Sequence, residues 1–314
     1  MRIEDIEIKP NNQKKYDENN WDIDEWRNEY PVDYFNMSAM LVKSDEAEIR
    51  DEIFKILYQS IRLYIPDAVY KYFSLDVNDK RDKENLETLY NGKVYMSEIQ
   101  GFNDPFDGHA FFYNPRELES VERLKHCGGR LVDDFCDFVR IACFTGNGVQ
   151  SMPMWAHYAN NHKGFCVAYD VKDSLDLRSN LFPVQYTDQR LDISSEMVKQ
   201  ALKISESFDE TGQKGDLVTM LEDKTLIYLP QLLYNLKHTS WSYEKEYRCI
   251  IASNTKGMPF IDANPKAIYI GRDCSDKNAD CLFDIADEHE AKIYKMDFNN
   301  YLDNYELVYK EFKK

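Results

Sequence analysis

The sequence predicts an α+β protein: a mixed, mainly antiparallel sheet core, helices packed around it, and a helical N-terminal extension. Three observations lead there. Short β-branched and aromatic runs recur between turn residues, longer stretches with apolar residues at helical spacing interrupt them, and the two kinds do not alternate as in a parallel βαβ protein. A chain of 314 residues that is 43% hydrophobic and 14% aromatic has ample material for a core.

Taken in order, residues 1–66 read as an N-terminal arm and a helix. The arm is rich in Asn, Asp, Glu and Lys but carries Trp21, Trp26, Tyr30, Tyr34 and Phe35, which suits docking onto a folded body and offers a surface to a partner protein. Ser44 precedes Asp45, Glu46 and Glu48, an N-cap with acids in the first turn. Ile49, Ile53, Ile56, Leu57 and Ile61 then recur at helical spacing until Pro66, so a helix is expected over 45–64.

Residues 67–314 are expected to form the α+β body, with a helical insertion at about 190–238. Strands are predicted over 68–73, 93–97, 140–145, 165–169, 267–271, 291–296 and 305–309, and over 181–186 at a sheet edge because of Pro183. Helices are predicted over 83–90, closed by Asn91-Gly92, and over 116–140, interrupted at Gly128-Gly129. Further helices are expected over 153–163 behind Ser151, over 193–207, over 215–236 with a kink at Pro230, and over 276–289.

The net charge of −17 argues against a broad basic face for nucleic acid, which requires clustered Lys and Arg. Seven cysteines, odd in number and without a Cys-x-x-Cys pair, suit free thiols in a reducing cytosol. The N-terminus carries no apolar signal core and no window reaches the apolar length of a membrane span, so a cytoplasmic protein without a membrane partner is the expectation.

Two stretches carry chemistry. In Ser242-Tyr243-Glu244-Lys245-Glu246-Tyr247-Arg248, two carboxylates precede the β-branched pair Ile250-Ile251; on a strand Glu244, Glu246 and Arg248 would share one face. The bland alternatives are a solvated strand edge or a buried Glu246–Arg248 pair. The loop Gly101-Phe102-Asn103-Asp104-Pro105-Phe106-Asp107-Gly108-His109 is dense in turn formers and reads as structured, either a turn with aromatic plugs or a site loop. His157 and His162, about 140° apart on a helix, make a poor metal pair.

Several motifs, Gly92-Lys93-Val94-Tyr95-Met96-Ser97, Phe102-Asn103-Asp104-Pro105-Phe106-Asp107, Met154-Trp155-Ala156-His157-Tyr158, His162-Lys163-Gly164-Phe165 and Tyr243-Glu244-Lys245-Glu246-Tyr247-Arg248, together resemble a bacterial family known only as a domain of unknown function. The likeness spans residues 68–310. It implies company with phage-defence and abortive-infection genes, and so a toxin or effector role without a chemistry.

A second resemblance, to the ADP-ribosyltransferase superfamily, supplies one. An early strand with a basic residue, an aromatic-polar loop and a late Glu-x-Glu are similar in order to that superfamily. This implies NAD as substrate, with Glu246 and Glu244 catalytic, and Lys71, Tyr72, Ser97, Phe102, Asn103, Asp104, Phe106, His157, Tyr158 and Arg248 around the nucleotide. Breaking the nicotinamide–ribose bond develops oxocarbenium charge, which a fixed carboxylate stabilises. The chain departs from the pattern at Lys71, where Arg or His is usual, and in the middle motif, for which Ser97, Thr145 and Tyr158 compete. No metal is expected in that reading. Two alternatives stay open: a metal-dependent nuclease or phosphoesterase using Asp104, Asp107, His109 and Glu246, and a non-enzymatic nucleotide sensor or interaction protein.

Overall fold

The computed structural model describes residues 1–9, 21–128, 139–211, 224–252, 259–299, 301 and 303–313. It has the expected α+β class and divides into two compact units. Unit 1 takes Met1–Tyr64, Glu98–Val139 and Val184–Thr239; unit 2 takes Ile65–Ser97, Arg140–Pro183 and Ser240–Lys314. The strands in chain order are β1 (Ala68–Phe73), β2 (Lys93–Tyr95), β3 (Phe111–Phe112), β4 (Val139–Thr145), β5 (Phe165–Asp170), β6 (Leu181–Pro183), β7 (Gln185–Thr187), β8 (Leu191–Asp192), β9 (Leu236–His238), β10 (Glu246–Ala252), β11 (Phe260–Asp262), β12 (Ala267–Ile270), β13 (Lys292–Phe298) and β14 (Leu307–Glu311).

Unit 1 is mainly helical, with helices at Ile23–Glu29, Tyr34–Val42, Ala47–Arg62, Ser194–Thr211 and Thr225–Leu233 and small parallel pairs of β3 with β8 and β7 with β9. Asp22 caps the first helix by accepting from Asp24 N and Glu25 N, and Asp33 caps the second through Asn36 N. The third starts later than its sequence suggests. Ser44 Oγ accepts from Glu46 N at 3.3 Å, which makes a local turn and leaves Glu46 in the cap position. Of the arm's aromatics, Trp26 and Tyr34 are buried, with the Trp26 ring 5.1 Å from that of Tyr64, whereas Trp21 is exposed.

Two helix expectations are revised. The stretch expected over 116–140 is a helix at Pro115–Ser120 and a 3-10 segment at Glu122–Cys127 whose C-cap, Gly128, is left-handed (φ 59°); residues 129–138 lie outside the described residues. Of the helix expected over 215–236, Thr225–Leu233 is described and contains Pro230, while 215–223 lie outside the described residues.

Unit 2 is built on an eight-stranded open sheet in the order β14-β13-β12-β5-β1-β4-β10-β6. The registers of β1 with β4 and β5, β5 with β12, β6 with β10 and β13 with β14 are antiparallel; β12 and β13 are parallel and joined by the helix Asp276–Glu288. Period-two alternation sorts the side chains onto two faces. Val69, Phe144, Val167, Tyr169, Cys249 and Ile268 pack on one side with Leu282, Ile285 and Ala286 of that helix. On the other, Tyr72 and Cys166 pack beneath Met154 and Trp155 of the helix Met152–Tyr158.

That second layer is locked by two close backbone approaches. A Cβ on Gly164 would lie 2.0 Å from the Phe73 carbonyl oxygen, and one on Gly271 would lie 2.2 Å from that of His162. Both obstacles are main chain and cannot swing aside. We expect Gly164→Ala and Gly271→Ala each to lower unfolding free energy by roughly 1–3 kcal/mol, the range for forced overpacking. Gly101→Ala, with nothing within 4 Å of the added carbon, leaves the urea midpoint unchanged.

Candidate functional site

Strand β10 opens at Glu246, and the residue before it, Lys245, is left-handed at φ 42°. Glu244 therefore belongs to the preceding 3-10 turn, Thr239–Glu244, and not to the strand. This corrects the expectation that Glu244 and Glu246 share a strand face: one left-handed residue between them breaks the alternation on which it rested. Both side chains are buried, so a solvated strand edge does not describe them.

Glu246 and Arg248 do share a face. The guanidinium Nε donates to Glu246 Oε1 at 2.9 Å and Nη2 donates to Oε2 at 3.1 Å, a two-bond fork with Arg248 0% exposed. Cys143 on β4 lies against Glu246; burial, then the carboxylate charge, pushes its thiol well above the usual range, so it stays protonated and is no ready nucleophile.

Lys71 projects from β1 on the opposite face, beside Val69 and Phe73. The β1–β4 register holds the single pair Tyr70 with Thr145, and where that ladder lapses the Lys71 ammonium donates to the Cys143 carbonyl at 2.9 Å. Burial lowers its pKa, opposed by the negative charge of Glu246. Tyr72 is also engaged within the unit: its hydroxyl donates to the Gly148 carbonyl at 2.8 Å, and its ring meets Trp155 edge-on at 5.0 Å.

Around Glu244 the contacts converge. Tyr158 OH donates to Glu244 Oε1, Thr145 Oγ1 donates to the Glu244 carbonyl, and Asn147 Nδ2 donates to the Tyr243 carbonyl. His157 is exposed and its ring lies 6.1 Å from Tyr243 and 6.4 Å from Tyr158. A half-buried aromatic rim thus surrounds a buried carboxylate. Of the three residues competing for the middle motif, Thr145 and Tyr158 reach Glu244. Ser97 bridges Ile141, four residues up β4 from Thr145, or about 13 Å along an extended strand. Asn147 is the residue that local reading passed over; Gly146-Asn147-Gly148 looks like a strand end, and only the fold brings it beneath Tyr243.

Phe102, Asn103, Asp104 and Phe106 fall in unit 1. Their loop is ordered as expected, with Asp104 Oδ1 accepting from Phe106 N at 2.9 Å. Asp104 and Asp107 are buried, and Lys237 Nζ lies 3.8 Å from Asp107 Oδ2. The guanidinium of Arg190 sits 5.9 Å over the exposed Phe106 ring and 4.9 Å over Phe112. Asp104, Asp107 and His109 belong to unit 1 and Glu246 to unit 2, and among the described residues no group of three or more His, Cys, Asp or Glu is arranged to hold a metal ion.

The two glutamates accordingly divide. Glu246 has both oxygens on Arg248, whereas Glu244 meets a hydroxyl at the rim, in position to accept a proton or face a developing cation. We expect Arg248→Met to cost roughly 3–5 kcal/mol in urea unfolding, because it leaves a buried carboxylate without its fork. The double variant Glu246→Leu/Arg248→Met should recover most of that loss.

No curated protein and no solved structure matches the chain. The model of the family described as a protein of unknown function (DUF2971) matches residues 154–249. That segment runs from the helix bearing Trp155, His157 and Tyr158 to the first half of β10, and so takes in Glu244, Glu246 and Arg248.

Proposed function

We propose that unit 2 acts as an ADP-ribosyltransferase-like enzyme, a bacterial effector that moves ADP-ribose from NAD to an acceptor nucleophile. The observation that carries the reading is the Glu244 carboxylate held by Tyr158 OH beneath an aromatic rim, on a sheet where β1, β4 and β10 are consecutive. The antiviral setting rests on the likeness of the motifs alone.

In this reading the rings of Tyr243 and His157 hold the nicotinamide and Asn147 supplies an amide at the rim. The bond between nicotinamide nitrogen and ribose C1′ breaks, its electron pair leaving with the neutral nicotinamide. Glu244 stabilises the cationic ribose, the acceptor bonds to C1′, and its proton passes to the Glu244 carboxylate. Glu246, forked to Arg248, positions the turn that carries Glu244.

The full chain incubated with NAD labelled in the adenylate part, together with cell lysate, should transfer label and release nicotinamide. Glu244→Gln should lower the rate by about 100-fold or more, in line with loss of one transition-state electrostatic group. Tyr158→Phe should lower it by a smaller factor, and chelator should leave it unchanged. Absence of both NAD binding and label transfer to protein and nucleic-acid acceptors would refute the transferase.

A further inference from the structure

A cleft of about 390 Å³ in unit 2 is lined by the Asn160–Gly164 turn, the residues just past β12, the end of β13 and the residues leading into β14. That volume is in the range of small-molecule sites, roughly 300–1,000 Å³. Its walls include His162, Arg272, Phe298, Asn299, Asn304 and Tyr305. None of these has a part in the chemistry described above.

The wall at His162 is held in a costly conformation. Asn160, Asn161 and His162 are successively left-handed, at φ 46°, 53° and 65°. A run of three such non-glycine residues is rare and persists only where its surroundings over-determine it. Here His162 N donates to the Trp155 carbonyl, Asp273 N donates to the His162 carbonyl, and the imidazole stacks on the Trp155 indole at 6.0 Å and 13°. Arg272 beside it is also set: its guanidinium donates to both carboxylate oxygens of Asp273, at 2.8 and 3.0 Å, and lies 4.9 Å over the Phe298 ring.

The lining sets planar and amide side chains beside the apolar Met152, Met296 and Leu307 and is short of net positive charge. Tyr305 presents its ring almost entirely to solvent, 96% exposed, beside the 41% exposed Phe298. Asn304 carries a paired donor and acceptor of the kind that reads base edges, as does Asn299, whose Oδ1 also accepts from Tyr301 N at 3.0 Å. The one guanidinium is already answered by Asp273, Glu306 adds a negative charge, and burial holds the His162 imidazole toward its neutral form. A phosphate would find little to meet it.

We propose that this cleft binds an uncharged nucleobase-bearing small molecule, a nucleoside, by stacking on Tyr305 and Phe298 and edge contacts to Asn299 and Asn304. The reading goes beyond NAD turnover and does not depend on it. Calorimetric titration of the full chain with adenosine, guanosine, cytidine and uridine should find at least one that binds with a Kd on the order of 100 µM, from the ligand efficiency of drug-sized molecules. Tyr305→Ala and Phe298→Ala should each weaken it by roughly 5- to 100-fold, the range for loss of a base stack, and Asn304→Ala should change the preferred base. Glu244→Gln should bind as the unaltered chain does, which separates this site from the transferase reading. Absence of saturable binding by all four nucleosides overturns the proposal, as does equal binding in Tyr305→Ala and Phe298→Ala. Tighter binding of the 5′-monophosphate than of its nucleoside overturns the claim that the ligand is uncharged.

Discussion

A carboxylate taken out of water on the first residue of a central-sheet strand has to be answered, and in unit 2 the answer is Arg248. Its fork satisfies both oxygens of Glu246, and its own exposure of 0% means that the pair is worth little by simple Coulomb attraction after desolvation. What such a pair supplies is a constraint on place. Removing either partner strands a buried charge, so β10 can begin only where the two meet. The turn ahead of it then has to close over Gly146, whose N–H donates to the Lys245 carbonyl at 2.9 Å. Lys245 takes up the geometry with a positive φ, and Glu244 is delivered to the Tyr158 hydroxyl.

The same constraint explains why a chain with several buried charges in one region of sheet remains compatible with folding. Lys71 reaches past its own strand to a carbonyl that the short β1–β4 ladder leaves open, so an ammonium does the work of a backbone donor. Cys143, whose own carbonyl this is, stays a thiol because burial and the negative charge of Glu246 both oppose ionisation. The polar functions that remain at the rim are the Tyr158 hydroxyl, the Glu244 carboxylate, the Asn147 amide and the His157 imidazole.

Much of the secondary structure was legible because local pattern and burial agree. Phe165–Asp170 is apolar almost throughout and lies in the middle of the sheet between β12 and β1; Asp276–Glu288 buries Ala279, Leu282, Phe283 and Ala286 at helical spacing. The pairing of Glu246 with Arg248 follows from a period of two, and it was weighed from the sequence as a bland alternative. What local pattern could not reach was φ at Lys245. Lysine has no preference for the left-handed region, and nothing within a few residues announces that the strand starts two positions later than its charge pattern suggests. Nor could it reach the partners of Glu244, which lie 86 and 99 residues upstream, at Tyr158 and Thr145.

The distribution of strain couples the helix Met152–Tyr158 and its exit to the candidate site. Trp155 is fully buried and touches Tyr72 on one side and His162 on the other, so a single indole joins the core of the sheet to the left-handed turn. Three residues further on, Tyr158 leaves the same helix to meet Glu244. A helix of seven residues has little intrinsic stability in isolation. Its orientation is imposed by the indole, whose Nε1 donates to the Val149 carbonyl at 2.8 Å, and by the glycines that let Phe73 and His162 main chain approach. Tyr158 is therefore placed by packing beneath the helix rather than by the helix itself, and the position of the hydroxyl that meets Glu244 follows from that core.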